Sequence, residues 1–311
     1  MRRSVITKDG MAMRETERKP FGPDDLLVRT LGCGVCEGDV VEYRKRATLG
    51  DRELRPGHEG IGTVEGVGDN VTGFQVGDCV TCLCGAYAEY FTSPAAWAAK
   101  VPDGLDPKLA LGEPLSCVVH AMNRLTVGPA DRVAVIGCGF MGLLCVQVLK
   151  HRGAGRLLAI DVIGERRERA LALGSDESCA PEDAPRADEP ARYGTFDFVV
   201  EAAGVPEAID LAGDLVDHHG HMNIVATHRS NEGRRTVNMY QWNWKAITIH
   251  QGHVRRTDEK IAALHESVGL LASGAVKMDS LVRHYALEDA DQAFQDLVKR
   301  EPGVYKAVLM P

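Results

Sequence analysis

No stretch of the 311-residue chain is both long and apolar enough to suggest a membrane span. The longest run without formal charge, from Val133 to Leu149, holds three glycines and a glutamine. The opening MRRSV leads into TKDG and not into an apolar signal core, so neither membrane insertion nor secretion is expected. An excess of positive charge is lacking as well. Lys and Arg total 36 against 44 Asp and Glu, a net charge of -8, which argues against nucleic acid or an anionic membrane surface as partner. A small-molecule partner is expected instead. Nor is there an even set of cysteines: there are nine, three of them crowded into Cys79, Cys82 and Cys84, a poor framework for disulfides in a chain long enough to bury an ample core. A reducing, cytoplasmic setting follows as the expectation.

The chain changes character along its length. Up to about Lys100, short β-prone runs separated by glycine (DDLLVRTLG, GIGTVEGVG, FQVGDCVTC, AYAEYFT) predict a mostly antiparallel, barrel-like unit. From about Val118 the pattern becomes strand, helix, strand: DRVAVIG, FMGLLCVQVLKHRG, RLLAID, ERRERALALG, FDFVVEAAG, VPEAIDLAGDLV and HMNIVAT. Such alternation argues for a parallel sheet with helices on both faces. The segment TDEKIAALHESVGLLASG has helical apolar spacing, and LVRHYAL, EDADQAFQDLVKR and VYKAVLM after it are assigned back to the first domain. The domains are expected at 1–117 plus 257–311 and at 118–256. Between Ala180 and Pro190, Pro181, Pro185 and Pro190 among acidic residues predict a mobile surface loop.

The strand DRVAVI runs into Gly137, Cys138, Gly139, Phe140, Met141 and Gly142, and a helix follows directly. In that context GxGxxG reads as a dinucleotide site. The first glycine permits a tight turn, the second admits a pyrophosphate to the backbone, and the third lets helix and strand pack closely. Asp161 ends the next strand nineteen residues past Gly142, placed to accept both ribose hydroxyls and to repel a 2′-phosphate. Arg166 either tolerates such a phosphate or covers the adenine face. NAD is favoured over NADP, and Gly204, closing FDFVVEAAG, joins the cofactor-binding set. The competing reading is a glycine-rich packing turn with no ligand.

Two short segments hold soft and borderline metal ligands: GCGVCEGD, with Cys33 and Cys36, and PGHEG, with His58 and Glu59; Glu113 in GEPLSCVVHA is a third candidate. Taken singly, each has an ordinary structural explanation. Taken together with GHEGxGxVExVGxxVxxFxxGDxV, AYAEY, EPLS, the glycine fingerprint and a closing AFxxL helix, the chain resembles the zinc-dependent medium-chain dehydrogenase/reductase superfamily over nearly its full length. That resemblance implies an α/β architecture in which a doubly wound Rossmann domain is inserted in a GroES-like β-barrel catalytic domain. It implies NAD, one catalytic Zn2+ and a homodimer or homotetramer. Cys36 and His58 are the implied zinc ligands. Glu113 stands at the third position, where the polyol dehydrogenases have glutamate, and Glu59 lies beside the metal. Asp39 matches the aspartate that orients the histidine ligand. Cys33 is expected to be structural.

Two departures bear on the chemistry. The four-cysteine lobe that often carries a structural zinc in this family is missing, and Cys79, Cys82 and Cys84 supply too few thiols for such a site, so they are expected to be free. The family's usual proton relay is also absent, because Gly38 and Val41 occupy its positions. Glu59, Glu42 or a water chain must then take the proton. Tyr43 and Arg255 are candidates for substrate contact, pointing to a polyol, sugar or cyclitol. His218, His219, His221, His250 and His253 read as solvated loop residues. The expected reaction is hydride transfer between NAD and a secondary alcohol or ketone. Two alternatives stay open: a redox-neutral epimerase or lyase that uses tightly bound NAD transiently, and a non-enzymatic binding protein that keeps the fold as a shell.

Overall fold

Short runs of β-branched and aliphatic residues set the strands of the first hundred residues in the structure, a computed structural model that describes residues 1–18, 20–185 and 196–311. In chain order come β1 (Arg2–Thr7), β2 (Gly10–Glu15), β3 (Asp25–Gly34), α1 (Glu37–Arg44), β4 (Glu59–Val67), β5 (Cys79–Cys82), β6 (Tyr90–Pro94), β7 (Ala98–Lys100) and α2 (Gly112–Met122). The middle of the chain alternates: β8 (Arg132–Ile136), α3 (Phe140–His151), β9 (Arg156–Ile160), α4 (Gly164–Ala172), β10 (Glu177–Cys179), β11 (Phe196–Glu201), α5 (Pro206–Leu215), β12 (Val216–Ile224), α6 (Met239–Lys245) and β13 (Thr248–Gln251). The chain closes with α7 (Thr257–Ala272), β14 (Val282–Ala286), α8 (Ala290–Lys299) and β15 (Lys306–Met310). It divides into two compact units, Met1–Ser116 with Lys260–Pro311, and Cys117–Glu259.

In the first unit, β1 and β2 form an antiparallel hairpin, and a seven-stranded sheet runs β14-β15-β3-β4-β5-β7 with β6 also on β3. All its pairings are antiparallel except β14 with β15. The long strand β3 organises it. Its first half pairs with β6, its last residues pair with β15, and β4 runs along its length. One apolar cluster gathers Val35, Val40, Tyr43, Tyr87, Phe294 and Leu309, and another gathers Leu26, Val28, Val64, Val80, Cys82 and Phe91. The end of β3, the start of β4 and the middle of β15 therefore meet at one place, at Gly34, Glu59 and Val308.

The second unit is an all-parallel six-stranded sheet in the order β10-β9-β8-β11-β12-β13. This is the doubly wound order, with the reversal of direction between β8 and β11. Strand β8 sits centrally, and four of its five residues are buried, as a parallel strand covered on both faces requires. Its core includes Ala134, Ile136, Leu158, Ile160, Phe196, Val199, Leu215 and Met222. The expected loop from Ala180 to Pro190 is corrected at its start. Pro181–Asp183 forms a 3-10 turn and Ala184 packs into this core, because proline at the first helical position is preset for the turn. Pro190 and its neighbours lie outside the described residues. Helix α6 had no counterpart in the apolar periodicity.

Helix α5 ends on a buried cation. Lys245, fully buried, donates from Nζ to the carbonyls of Gly213 (3.1 Å), Asp214 (2.9 Å) and Val216 (3.0 Å). These are carbonyls that a helix C-terminus leaves unpaired, and the charge opposes the negative end of the helix dipole. Burial pulls the lysine pKa down. Lys245→Met is expected to strand these carbonyls and to destabilise the protein by about 2 kcal/mol or more in urea unfolding. A change within about 0.5 kcal/mol, the size of an ordinary surface substitution, would show that the cap carries no load.

Candidate functional site

Glycine at the end of β3 makes room for a carboxylate. Gly34 and Glu59 are register partners, and a Cβ on Gly34 would collide with the Glu59 side chain. Two residues on, Cys36 caps α1, its Sγ accepting the Gly38 N–H at 3.4 Å. One ligand atom each from Cys36, His58 and Glu59 lies within 4.8 Å of the others, the only such group found among the described residues. The hydrogen bond to Cys36 raises the His58 pKa to about 9 against the opposing effect of burial. Glu59 is 2% exposed, and burial pushes its carboxyl up while Lys306 pulls it down. Lys306 Nζ lies 2.6 Å from each carboxylate oxygen but hydrogen-bonds only Oε1, which leaves Oε2 buried without a hydrogen-bond partner. The second bond of Lys306 goes to the Val35 carbonyl at 3.0 Å.

A thiolate, an imidazole and a carboxylate with a buried oxygen that accepts no hydrogen bond form a donor set that suits zinc. The residues present fit the metal that the sequence pattern implies. The grouping differs from the one read from sequence, however. Glu113 is buried, but its carboxylate stands outside the trio, with Oε1 2.8 Å from Lys260 Nζ. Its charge is still felt at His58 and Glu59.

Three expectations at this site are corrected. Asp39 does not hold His58; its Oδ2 accepts the Tyr87 hydroxyl at 2.6 Å, since α1 turns this carboxylate toward the core. Tyr43 is no substrate contact, being 2% exposed, packed on Phe294 and bonded through its hydroxyl to Asp291 at 2.8 Å. The five histidines are not loop residues as a group. His218, His219 and His221 lie on β12 and His250 on β13, with His221 Nδ1 and His250 Nε2 3.0 Å apart. Only His253 follows a strand end. Glu42 sits exposed on α1, and Cys33 is fully buried with its thiol pushed up by burial. Burial also raises Cys79, to about 11, and Cys82, which is wholly inside the barrel core.

In the second unit the glycine fingerprint forms the turn from β8 into α3. Gly137 has φ +93°, and a Cβ there would meet the backbone of Ala203, which follows β11. The two turns flanking the switch point thus touch, as a dinucleotide crevice requires. A Cβ on Gly142 would collide with the Gly137 carbonyl, whereas at Gly139, the N-cap of α3, it would meet nothing within 4 Å. Phe140 and Met141 open the helix. Asp161 is 6% exposed; its Oδ2 accepts the Cys138 N–H at 2.7 Å and its Oδ1 the Ile163 N–H at 2.8 Å, so it braces the turn from beneath. Arg166 approaches it at 4.0 Å. Gly204, at φ +75°, donates to Glu201 Oε1 at 2.7 Å.

Sequence reasoning missed several groups. Glu201, fully buried, also bonds His228 at 2.8 Å, and His228 accepts from Arg235 at 2.9 Å. His228, Arg235, Trp242, His253 and Arg255 line a cavity of about 390 Å³ beyond the ends of β12 and β13, which places Arg255 within the dinucleotide unit. Lys306 was missed too. Its signal was a lone charge opening the apolar strand KAVLM.

The glycines yield a paired test. Gly142→Ala should cost about 1–3 kcal/mol of stability through overpacking, with dinucleotide affinity lost alongside. Gly139→Ala should leave urea unfolding unchanged and weaken NADH binding, followed by fluorescence titration, by tenfold or so, because its methyl fills space left for phosphate. Equal NADH affinity in Gly139→Ala and wild type would mean that the turn is packing only.

Residues 22–103 match the family described as "Alcohol dehydrogenase GroES-like domain", and residues 141–269 match "Zinc-binding dehydrogenase". Among characterised sequences, the chain is similar to a probable D-xylulose reductase A of Emericella nidulans, with 29% identity over 93% of this chain and 90% of that one. It is also similar to D-arabinitol dehydrogenase 1 of Uromyces fabae, with 26% identity over 89% and 88%. Among solved structures, the alcohol dehydrogenase TADH from Thermus sp. ATN1 superposes with a TM-score of 0.85 at 26% identity, covering 100% of this chain and 99% of that one. With both of its parts matched, and with a cysteine, a histidine and a glutamate drawn together in the first unit, the chain belongs to the zinc-dependent medium-chain dehydrogenase/reductase superfamily.

Proposed function

We propose that this protein is an oxidoreductase that transfers a hydride between NAD and a secondary alcohol or ketone, with a polyol, sugar or cyclitol as substrate. The observation that carries the reading is the convergence of Cys36, His58 and Glu59 in one partly buried group, with the charge of Glu113 felt at His58. The sugar and polyol names of the similar proteins support the substrate class. Bound zinc supplies Lewis acidity toward a substrate oxygen, and bound NAD accepts or returns the hydride.

The chain's own residues supply the rest. Cys36 and His58 would hold the metal, with Glu59 as the carboxylate grouped with them. Glu59 is the carboxylate to take the hydroxyl proton, since it is buried, its Oε2 accepts no hydrogen bond and desolvation raises its pKa, the property that favours a general base. Gly38 and Val41 offer no titratable group for that step. Lys306 steadies the carboxylate through Oε1. Asp161 supports NAD over NADP because its buried charge disfavours a 2′-phosphate.

Wild-type protein containing zinc should reduce NAD with one or more polyols, read as NADH absorbance, and Cys36→Ser should lose the metal. Glu59→Gln is expected to lower kcat about 100-fold while NADH binding stays unchanged. Normal turnover in that variant would clear Glu59 of proton transfer. NAD retained through purification with no net NADH would point to the redox-neutral alternative.

For the cofactor, Asp161→Ala should raise the KM for NAD about tenfold and narrow the ratio of NAD to NADP efficiency. The ratio is the decisive number, because loss of the brace on Cys138 and Ile163 weakens both cofactors. A wild type that already prefers NADP would overturn this assignment.

A further inference from the structure

Strand β13 has little burial to hold it. It is the edge of the six-stranded sheet, and among the described residues it pairs only with β12, from His221 opposite Thr248 to Ile224 opposite Gln251. Three of its four residues are exposed, and the fourth is His250. The Nε2 of His250 lies 3.0 Å from His221 Nδ1 on β12, with the ring centroids 5.3 Å apart and the planes at 17°. Rings joined at that distance can hardly stand further apart, so the two nitrogens face each other along the line between the rings. The contact is an N–H···N hydrogen bond, in which one ring donates and the other must keep a lone pair. Phe198 of β11 stacks on His221 at 5.1 Å and holds that ring in place without bringing a charge. The charged group that acts on His250 besides His221 is Arg124, just after α2. Burial, His221 and Arg124 all hold the His250 pKa below its ordinary value.

We propose that the bond between His221 and His250 is a proton-sensitive latch, which clamps β13 onto β12 and lets the edge strand go when both rings are protonated. The inference concerns the second unit alone and rests neither on the metal nor on the reaction. A first proton settles on an outer nitrogen of the pair and leaves the shared bond in place. A second must take the accepting lone pair, and then two N–H groups and two positive charges confront each other. The folded chain keeps His250 neutral more firmly than the unfolded chain does. The stability that the latch contributes is therefore complete above the ordinary histidine value of about 6.5 and is lost as the pH falls below it, toward the depressed folded value. Release acts on a cavity wall. Gln251, His253 and Arg255, at the end of β13 and just beyond it, line the cavity of about 390 Å³, and Gly252 among them is tied to the Ile224 carbonyl at 2.8 Å in the same ladder.

The test is amide hydrogen exchange on the intact protein at about pH 8 and about pH 5, the range over which histidine changes charge, corrected for the intrinsic exchange rate. The amides of residues 248–252 are compared with those of β8 in the same sample. In the wild type, protection of 248–252 should fall about fivefold or more at the lower pH, the size of one lost hydrogen bond, while β8 stays protected. His250→Gln, whose amide still reaches for His221 but takes no proton, should abolish the pH dependence. His221→Phe keeps an aromatic ring on Phe198 without the bond, and should show the low protection already at about pH 8. A pH effect of equal size in wild type and His250→Gln would overturn the latch. So would a wild type whose strand stays protected throughout, or a loss of protection that β8 shares.

Discussion

The ion pair between Lys306 and Glu59 is the constraint on which the site depends. Both side chains are almost wholly removed from water, at 5% and 2% exposure for the residues, so neither charge is tolerable without the other. Their meeting requires the end of β3 and the starts of β4 and β15 to lie side by side. Those three strands come from residues 25–34, 59–67 and 306–310. The last strand of the chain thus completes a group whose other members lie in its first sixty residues. It also explains why a glycine stands at 34, since any side chain there would occupy the volume of the carboxylate.

A comparable economy operates in the dinucleotide unit. Asp161 directly follows β9 and Glu201 ends β11, and each carboxylate accepts backbone N–H groups, Asp161 from Cys138 and Ile163 and Glu201 from Ala203 and Gly204. The β8–α3 turn is held by Asp161, and the turn after β11 is held by Glu201. Because Gly137 touches Ala203, the two braced turns also support each other. Buried acids that accept several N–H bonds keep the backbone ready for a ligand before any ligand arrives.

Much of this was legible from the residues. The continuous apolar strand β8 and the glycines after it are local signals, since tight turns and close packing act over a few residues. Cys36, His58, Glu59 and Glu113 were visible as ligand types in recurring segments. Their grouping was not, because it depends on which oxygen each lysine occupies. Tyr43 and Asp39 illustrate the limit. Both are polar residues near the ligands in sequence, yet the turn of α1 sends one to Asp291 and the other to Tyr87.

By itself the sequence determined the class of the fold, the period of its elements, the glycine turn and the chemical types available to bind metal and cofactor, all of which are properties of short segments. Only the tertiary structure decided that Glu59 and not Glu113 joins Cys36 and His58, that Lys306 and Lys260 are assigned to separate carboxylates, and that His221 meets His250 across adjacent strands. These are pairings between residues far apart in the chain. Their geometry is set by strand register and helix packing, and no local pattern of charge or hydrophobicity encodes either one.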